Sequence, residues 1–300
     1  MTGFRLNRVI AGLEAGQHVF ASFAAADPAV AVEFSTTDYD GLVFEAEHKP
    51  WDVVALKDSL QYLLNRRRIH TSASLSPAVT PLVRVPVNGA EMGQWHAKQA
   101  LDLGAYGIVW PHIATVAEAR NAVAACRYPR LPDSPRYEPA GLRGDGPYAA
   151  ARYWGLSTAD YYARSDVWPL DPDGELLVAL MIEDQQGIEN LPDMLDQVPG
   201  IGLIVIGEGD MSQELGVPRQ YEHPLVLEGK RRILDVCGER GVAVGHPHVT
   251  VDNLKQVLAD GYRFLMSAPV RSYPALQLGR ELTGRTDPSS STDRGDTRDH

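Results

Sequence analysis

A chain of 300 residues with 44% hydrophobic content is long enough for one large or two small domains with a substantial apolar core. The 39 acidic residues outnumber the 28 basic ones, for a formal net charge of −11, so the surface repels phosphate backbones and anionic headgroups, and neither nucleic acid nor membrane is an expected partner. The two cysteines, Cys126 and Cys237, suggest neither a disulfide framework nor a thiolate zinc site. No run reaches the ~18 apolar residues of a membrane span. The first residues lack the apolar centre of a signal peptide, so a cytoplasmic protein is expected.

Short apolar, β-rich runs recur along the chain: HVFASFA from 18, LVFEA from 42, PLVRVP from 81, YGIVWP from 106, LLVALMIE from 176, LIVIG from 203, VAVGHP from 242 and YRFLMSAP from 262. Between them lie stretches of helical period such as WDVVALKDSLQYLLNRR, EMGQWHAKQALDLG and TVAEARNAVAACRYP. Alternating strands and helices predict a parallel sheet. Eight such units, with no GxGxxG after the first strand, predict a closed (β/α)8 TIM barrel over residues 1–282 rather than a doubly wound sheet. Two segments depart from the rhythm. Residues 129–175, rich in Pro, Gly and Tyr, predict an active-site or oligomer-contact excursion. Its aromatics Tyr148, Tyr153, Trp154, Tyr161 and Tyr162 are candidates for lining a pocket or an interface. From Thr283 to the end, the Ser/Asp/Arg-rich stretch predicts a disordered tail.

In a parallel barrel the loops after the strands share one face, and active sites are built there. The strand ends read EAEH (45–48), VRVP (83–86), WPH (110–112), MIED (181–184), IGEGD (206–210) and GHPH (245–248). Glu183 directly abuts the apolar run LLVALMI, where an unpaired carboxylate is costly, so it requires a cation nearby. Glu183 and Asp210 end successive strands and can share one hard divalent ion such as Mg2+ or Mn2+, or each can cap the helix that follows. His48 is either a general base or an incidental loop histidine. Arg84, inside an apolar run, needs an anion, from the protein or from a substrate carboxylate.

With these residues in place, the chain resembles the HpcH/HpaI aldolase family of class II pyruvate aldolases over roughly residues 10 to 275. The motifs that carry the likeness are EAEHKPWD, PLVRVP, LDLGAYGIVWPHIATVAEARNAVAACRYP, GLRGDGP, MIED with NLPDMLDQVPGIG, and GEGDMS. The resemblance implies Glu183 and Asp210 as ligands of Mg2+, Mn2+ or Co2+, and His48 as the general base that takes the C4 hydroxyl proton. It implies Arg84 opposite the enolate oxygen and Asp102 as the group that orients His48. It further implies a homo-oligomer, a hexamer or trimer of dimers, acting on a 2-oxo acid and an aldehyde. The implied reaction is reversible cleavage of a 4-hydroxy-2-oxo acid to a pyruvate-like 2-oxo acid and an aldehyde. Oxaloacetate decarboxylation or a macrophomate-synthase-like condensation would use the same enolate. Substrate contacts are expected from Arg84, Met181, Gly209, Asp210 and His246. Three positions depart from the family's pattern: Glu45 stands for the usual Asp, Met181 for the usual Gln, and Gly207-Glu208-Gly209-Asp210 for G-P-A-D. Together with His246 and His248 they predict a more polar, more densely charged pocket.

Overall fold

A computed structural model describes residues 5–267 and 274–285. The apolar runs form the strands β1 (Val19–Ala25), β2 (Gly41–Glu45), β3 (Thr80–Arg84), β4 (Gly107–Trp110), β5 (Val167–Trp168), β6 (Leu176–Ile182), β7 (Leu203–Ile206), β8 (Ala243–His246) and β9 (Phe264–Ser267). Every residue of β2, β3, β4, β6, β7 and β9 is buried, because helices cover one side of the sheet and the barrel interior the other. All pairings are parallel, with β1 between β2 and β9 and with β4 pairing β6. That last pairing closes an eight-stranded (β/α)8 barrel, and β5 hydrogen-bonds to the outer start of β6 as a ninth, two-residue strand.

Local chemistry sets where the helices begin. Thr115 and Glu118 form a capping box at the start of helix Val116–Ala125, and Asp184 caps Gln185–Gln197 by accepting from the Gly187 N–H. The stretch expected as one helix over 51–67 divides into Val53–Leu63 and Arg66–Ser72. Leu64 is extended, and the Asn65 side chain accepts from the Arg68 N–H as the N-cap of a second helix.

The excursion is built into the core. It carries the helices Tyr148–Trp154 and Thr158–Arg164 and is tied down by ion pairs of Arg127 with Asp166 (2.7 Å) and of Arg130 with Asp171 (2.9 Å). Trp154 stacks on Tyr106, with ring centroids 4.3 Å apart, and donates its indole N–H to the Gly104 carbonyl at 2.9 Å. Trp154 and Tyr161 therefore fill this chain's interior rather than a pocket, whereas Tyr148 is 76% exposed. After helix Pro274–Leu282, Arg285 reaches back to Asp40 (2.8 and 3.0 Å) and to the His18 carbonyl. The rest of the predicted disordered tail, 286–300, lies outside the described residues. Among the described residues, no helix is long and apolar enough to cross a membrane.

Replacing Trp154 with Ala removes a buried aromatic and its hydrogen bond, so urea unfolding should show a loss of ~3–5 kcal/mol. A loss below about 1 kcal/mol would mean that the excursion is not part of the cooperative core.

Candidate active site

The ends of β2, β3, β4, β6 and β7 bring acidic and basic groups to one mouth of the barrel. Glu183, one residue past β6, is 2% exposed, and its Oε1 accepts the backbone N–H of His112 at 2.8 Å. Capping of the next helix falls to Asp184, not to Glu183. Asp210 lies in the first turn of helix Glu208–Glu214, whose N-cap, Gly207, offers no side chain. A Cβ at Gly207 would collide with the Glu183 carboxylate, so a bare backbone is needed for β7 to pass that close. One ligand atom each of Glu183, Asp210 and His112 lie within 4.8 Å of one another, and no other such group of three occurs among the described residues.

Burial, reinforced by the charges of Glu47 and Asp210, pushes the Glu183 carboxyl up to about 7, even though His112 opposes the shift. His112 is pushed up to about 9, chiefly by its hydrogen bond to Glu47 and then by the charges of Glu183, Glu47 and Asp210. The pocket thus holds more negative charge than its own cations offset. Two carboxylates and an imidazole converging on one point form a donor set that suits a divalent ion.

Arg84 is fed into the mouth by the register of β2 and β3, which places it opposite Glu45. Its guanidinium pairs with Glu45 and, at 2.8 Å, with Glu47; it lies 4.4 Å from the Phe23 ring centroid and touches the Met181 sulfur at 3.6 Å. Glu47 in turn faces His112 at 3.3 Å, and its carboxyl is held below the usual range because His112 and Arg84 outweigh its burial. Arg84 and Met181 are therefore neighbours in the network next to Glu183.

His48 and Asp102 are not brought together within the chain. The His48 ring is largely exposed and lies 3.6 Å from Glu47, while Asp102 pairs with buried Arg143 of the G-x-R-G loop at 2.8 Å. Arg143 also stacks on Tyr128 (4.1 Å to the ring centroid) and donates to the Tyr128 and Tyr161 hydroxyls. Gly209 occupies the first turn of the Asp210 helix, with open space where a side chain would stand.

The departures at 208, 246 and 248 form a cluster of their own. Buried Glu208 accepts from Lys230 at 2.9 Å and contacts the His248 ring at 2.6 Å, while His248 stacks on Tyr221. Burial works against the Glu208 charge, but His248, His246 and Lys230 outweigh it and hold the carboxyl at about 2. His246 packs edge-on against Tyr262, and burial lowers its imidazole to about 4, so it is neutral at physiological pH. The charged pocket expected from the sequence thus resolves into two groups: the Glu183 network and this self-neutralised cluster. Sequence reasoning did not single out Glu47 or His112. Both stand in strand-end motifs, EAEH and WPH, and each is defined by groups on other strands.

The sequence profile of the HpcH/HpaI aldolase/citrate lyase family matches residues 19–268. A hydroxypyruvate/pyruvate aldolase of Roseobacter denitrificans is 30% identical over 269 residues, covering 88% of this chain and 91% of that protein. A 5-keto-4-deoxy-D-glucarate aldolase of Escherichia coli is 30% identical over 260 residues, 86% of each chain. Among solved structures, an HpcH/HpaI aldolase/citrate lyase family protein from Burkholderia cenocepacia superposes with a TM-score of 0.72 at 26% identity, covering 92% of this chain and 97% of that one.

A carboxyl held at about 7, against 4.5 in the open chain, binds its proton more tightly when folded. Its contribution to stability is therefore full below pH 4.5 and is lost as pH rises toward 7. His112, at about 9 against 6.5, contributes stability that is full below pH 6.5 and lost as pH rises through about 9. Buried His246, held at about 4 against 6.5, works the other way and adds stability as pH rises toward 6.5, offsetting Glu183 there. The metal-free protein should accordingly become easier to unfold with urea between about pH 7 and pH 9, and Glu183→Gln should gain stability relative to wild type as pH rises from about 5 to 7. Stability of the metal-free protein rising between about pH 7 and pH 9, or a Glu183→Gln variant with the wild-type pH profile, would contradict the assignment.

Proposed function

Because the chain belongs to the HpcH/HpaI aldolase/citrate lyase family and is a carbon–carbon lyase, we propose that it is a metal-dependent class II aldolase. In this reaction it cleaves a 4-hydroxy-2-oxo acid reversibly to pyruvate, or a pyruvate-like 2-oxo acid, and an aldehyde. The observation that carries the proposal is the convergence of Glu183 and Asp210 at the barrel mouth, with the buried Glu183 carboxyl short of positive charge. Glu183 and Asp210 would hold the ion, and Mg2+, Mn2+ or Co2+ suits such a donor set. When bound, the ion supplies Lewis acidity that lowers the cost of negative charge on the 2-oxo oxygen.

The chain's own groups do the rest. Arg84 is fixed by Glu45 and Glu47, which leaves its guanidinium rigid beside the Met181 end of β6 and available to the oxygen on which enolate charge accumulates. His48, on the loop after β2 and open to solvent, is the base of this proposal: it takes the C4 hydroxyl proton in cleavage and returns it in addition. Bound against Met181 in place of a hydrogen-bonding side chain, the 2-oxo acid relies on the ion and Arg84 for its orientation.

Incubation of pyruvate in deuterated water tests the proposal through exchange of the C3 protons, followed by NMR. Exchange should require added Mg2+ or Mn2+ and disappear, together with metal binding, in Glu183→Ala. His48→Ala should slow aldol cleavage by about 10²-fold while metal binding persists. Metal-independent exchange, or full activity in Glu183→Ala, would overturn it.

A further inference from the structure

The WPH turn after β4 was not needed for the two-carboxylate site, yet it delivers His112 to it. The residue sits in the left-handed backbone region (φ 51°), which non-glycine residues adopt sparingly and histidine more readily than most. Three bonds hold it there. Its N–H donates to Glu183 Oε1 at 2.8 Å, its carbonyl accepts from the Gly89 N–H at 3.3 Å, and its Nε2 lies 3.3 Å from Glu47 Oε1. Gly89 has no room for a side chain, since a Cβ there would press on that same carbonyl. Of the four non-glycine residues with positive φ among the described residues, His112 is the one that stands in the Glu183 and Asp210 group.

The orientation of the ring follows from these contacts. Nε2 faces Glu47, and a carboxylate there accepts the Nε2 proton and leaves the lone pair on Nδ1. Nδ1 is the ring nitrogen nearer the residue's own backbone, which is bonded to Glu183. An imidazole oriented by a carboxylate on one nitrogen and ligating through the other is a recurrent arrangement in metal sites.

We propose that His112 is a third protein ligand to the ion held by Glu183 and Asp210, with Glu47 as the carboxylate that orients it, making the site an N,O,O set. The inference rests on the metal reading above and adds the class of ion. Oxygen ligands and water suit Mg2+, whereas an imidazole raises affinity for later divalent ions along the series from Mn2+ through Co2+ to Ni2+. The site should therefore discriminate for Co2+ against Mg2+, and Glu47 links that preference to the Arg84 network.

Calorimetric titration of the metal-free full chain with Co2+ and with Mg2+ separates the possibilities without reference to activity. The wild-type chain should bind Co2+ at least about 100-fold more tightly than Mg2+. His112→Ala should lose about 10- to 100-fold in Co2+ affinity while its Mg2+ affinity changes by less than about threefold, and Glu47→Gln should lose Co2+ affinity in the same direction. His112→Asn, which tolerates the left-handed backbone, serves if the alanine variant does not fold. Electron paramagnetic resonance of the wild-type chain loaded with Cu2+ should also show coupling to one imidazole nitrogen that is absent in the His112 variants. Unchanged Co2+ affinity in the variants, or no nitrogen coupling in the wild type, overturns the His112 assignment and leaves the two-carboxylate site standing. A wild-type chain that binds neither ion, with His112 as a permanent imidazolium between the carboxylates, overturns the metal reading and this inference together.

Discussion

The cost of placing the Glu183 carboxylate at the end of an entirely buried strand organises the mouth of this barrel. β6 is apolar at every position because it is covered on both sides, and the chain carries that seal up to Ile182 before placing a single buried acid, Glu183. What surrounds Glu183 follows from it. Gly207 lets β7 pass against the carboxylate, the WPH turn bends to donate a backbone N–H, and Asp184 takes over the capping that Glu183 might otherwise have performed. A lone buried carboxylate is stable only when neutral or beside a cation, and Asp210 and Glu47 add to burial in favouring the neutral form, with His112 opposing them.

A second charge balance lies on the other side of the mouth. Arg84 brings its guanidinium between Glu45 and Glu47, so its position is fixed within the protein before any substrate arrives. Two carboxylates for one guanidinium leave the pair net negative, and His112 shares Glu47 with it. Arg84, Glu47, His112 and Glu183 thus form a continuous chain of contacts from β2 and β3 across β4 to β6. Groups linked in this way hold one another in place, and preorganisation of that kind is what electrostatic stabilisation in an active site requires.

The Glu208 cluster works differently. The one carboxylate is matched by Lys230 and bonded to His248, and His246 is buried in its neutral form, so the extra acid near Asp210 adds little net charge to the pocket. Within the helical turn Glu208 reaches the β8 loop and Lys230, while Asp210 converges with Glu183. Two acids two residues apart serve different partners because side chains separated by that interval lie on opposite sides of a helix.

The barrel was legible in the sequence because its signal is local. Eight apolar runs separated by helical periods declare a parallel sheet whatever the details of packing, and their ends give the list of positions facing the active mouth. Glu183 and Arg84 stood out there because each breaks an apolar run or directly follows one, and Asp210 because it closes the strand-end motif IGEGD. The short β5, the division of the 51–67 helix at Asn65 and the burial of Trp154 and Tyr161 in the excursion were not legible, since each depends on a partner distant in sequence. The same holds for Glu47 and His112. Nothing in EAEH or WPH distinguishes them from ordinary loop residues until strand register and closure of β4 onto β6 set Glu47 against Arg84 and His112 against Glu183. Sequence by itself determined which residues interrupt the core; tertiary structure alone decided which of them meet, because barrel closure, not chain proximity, sets the distances between strand ends.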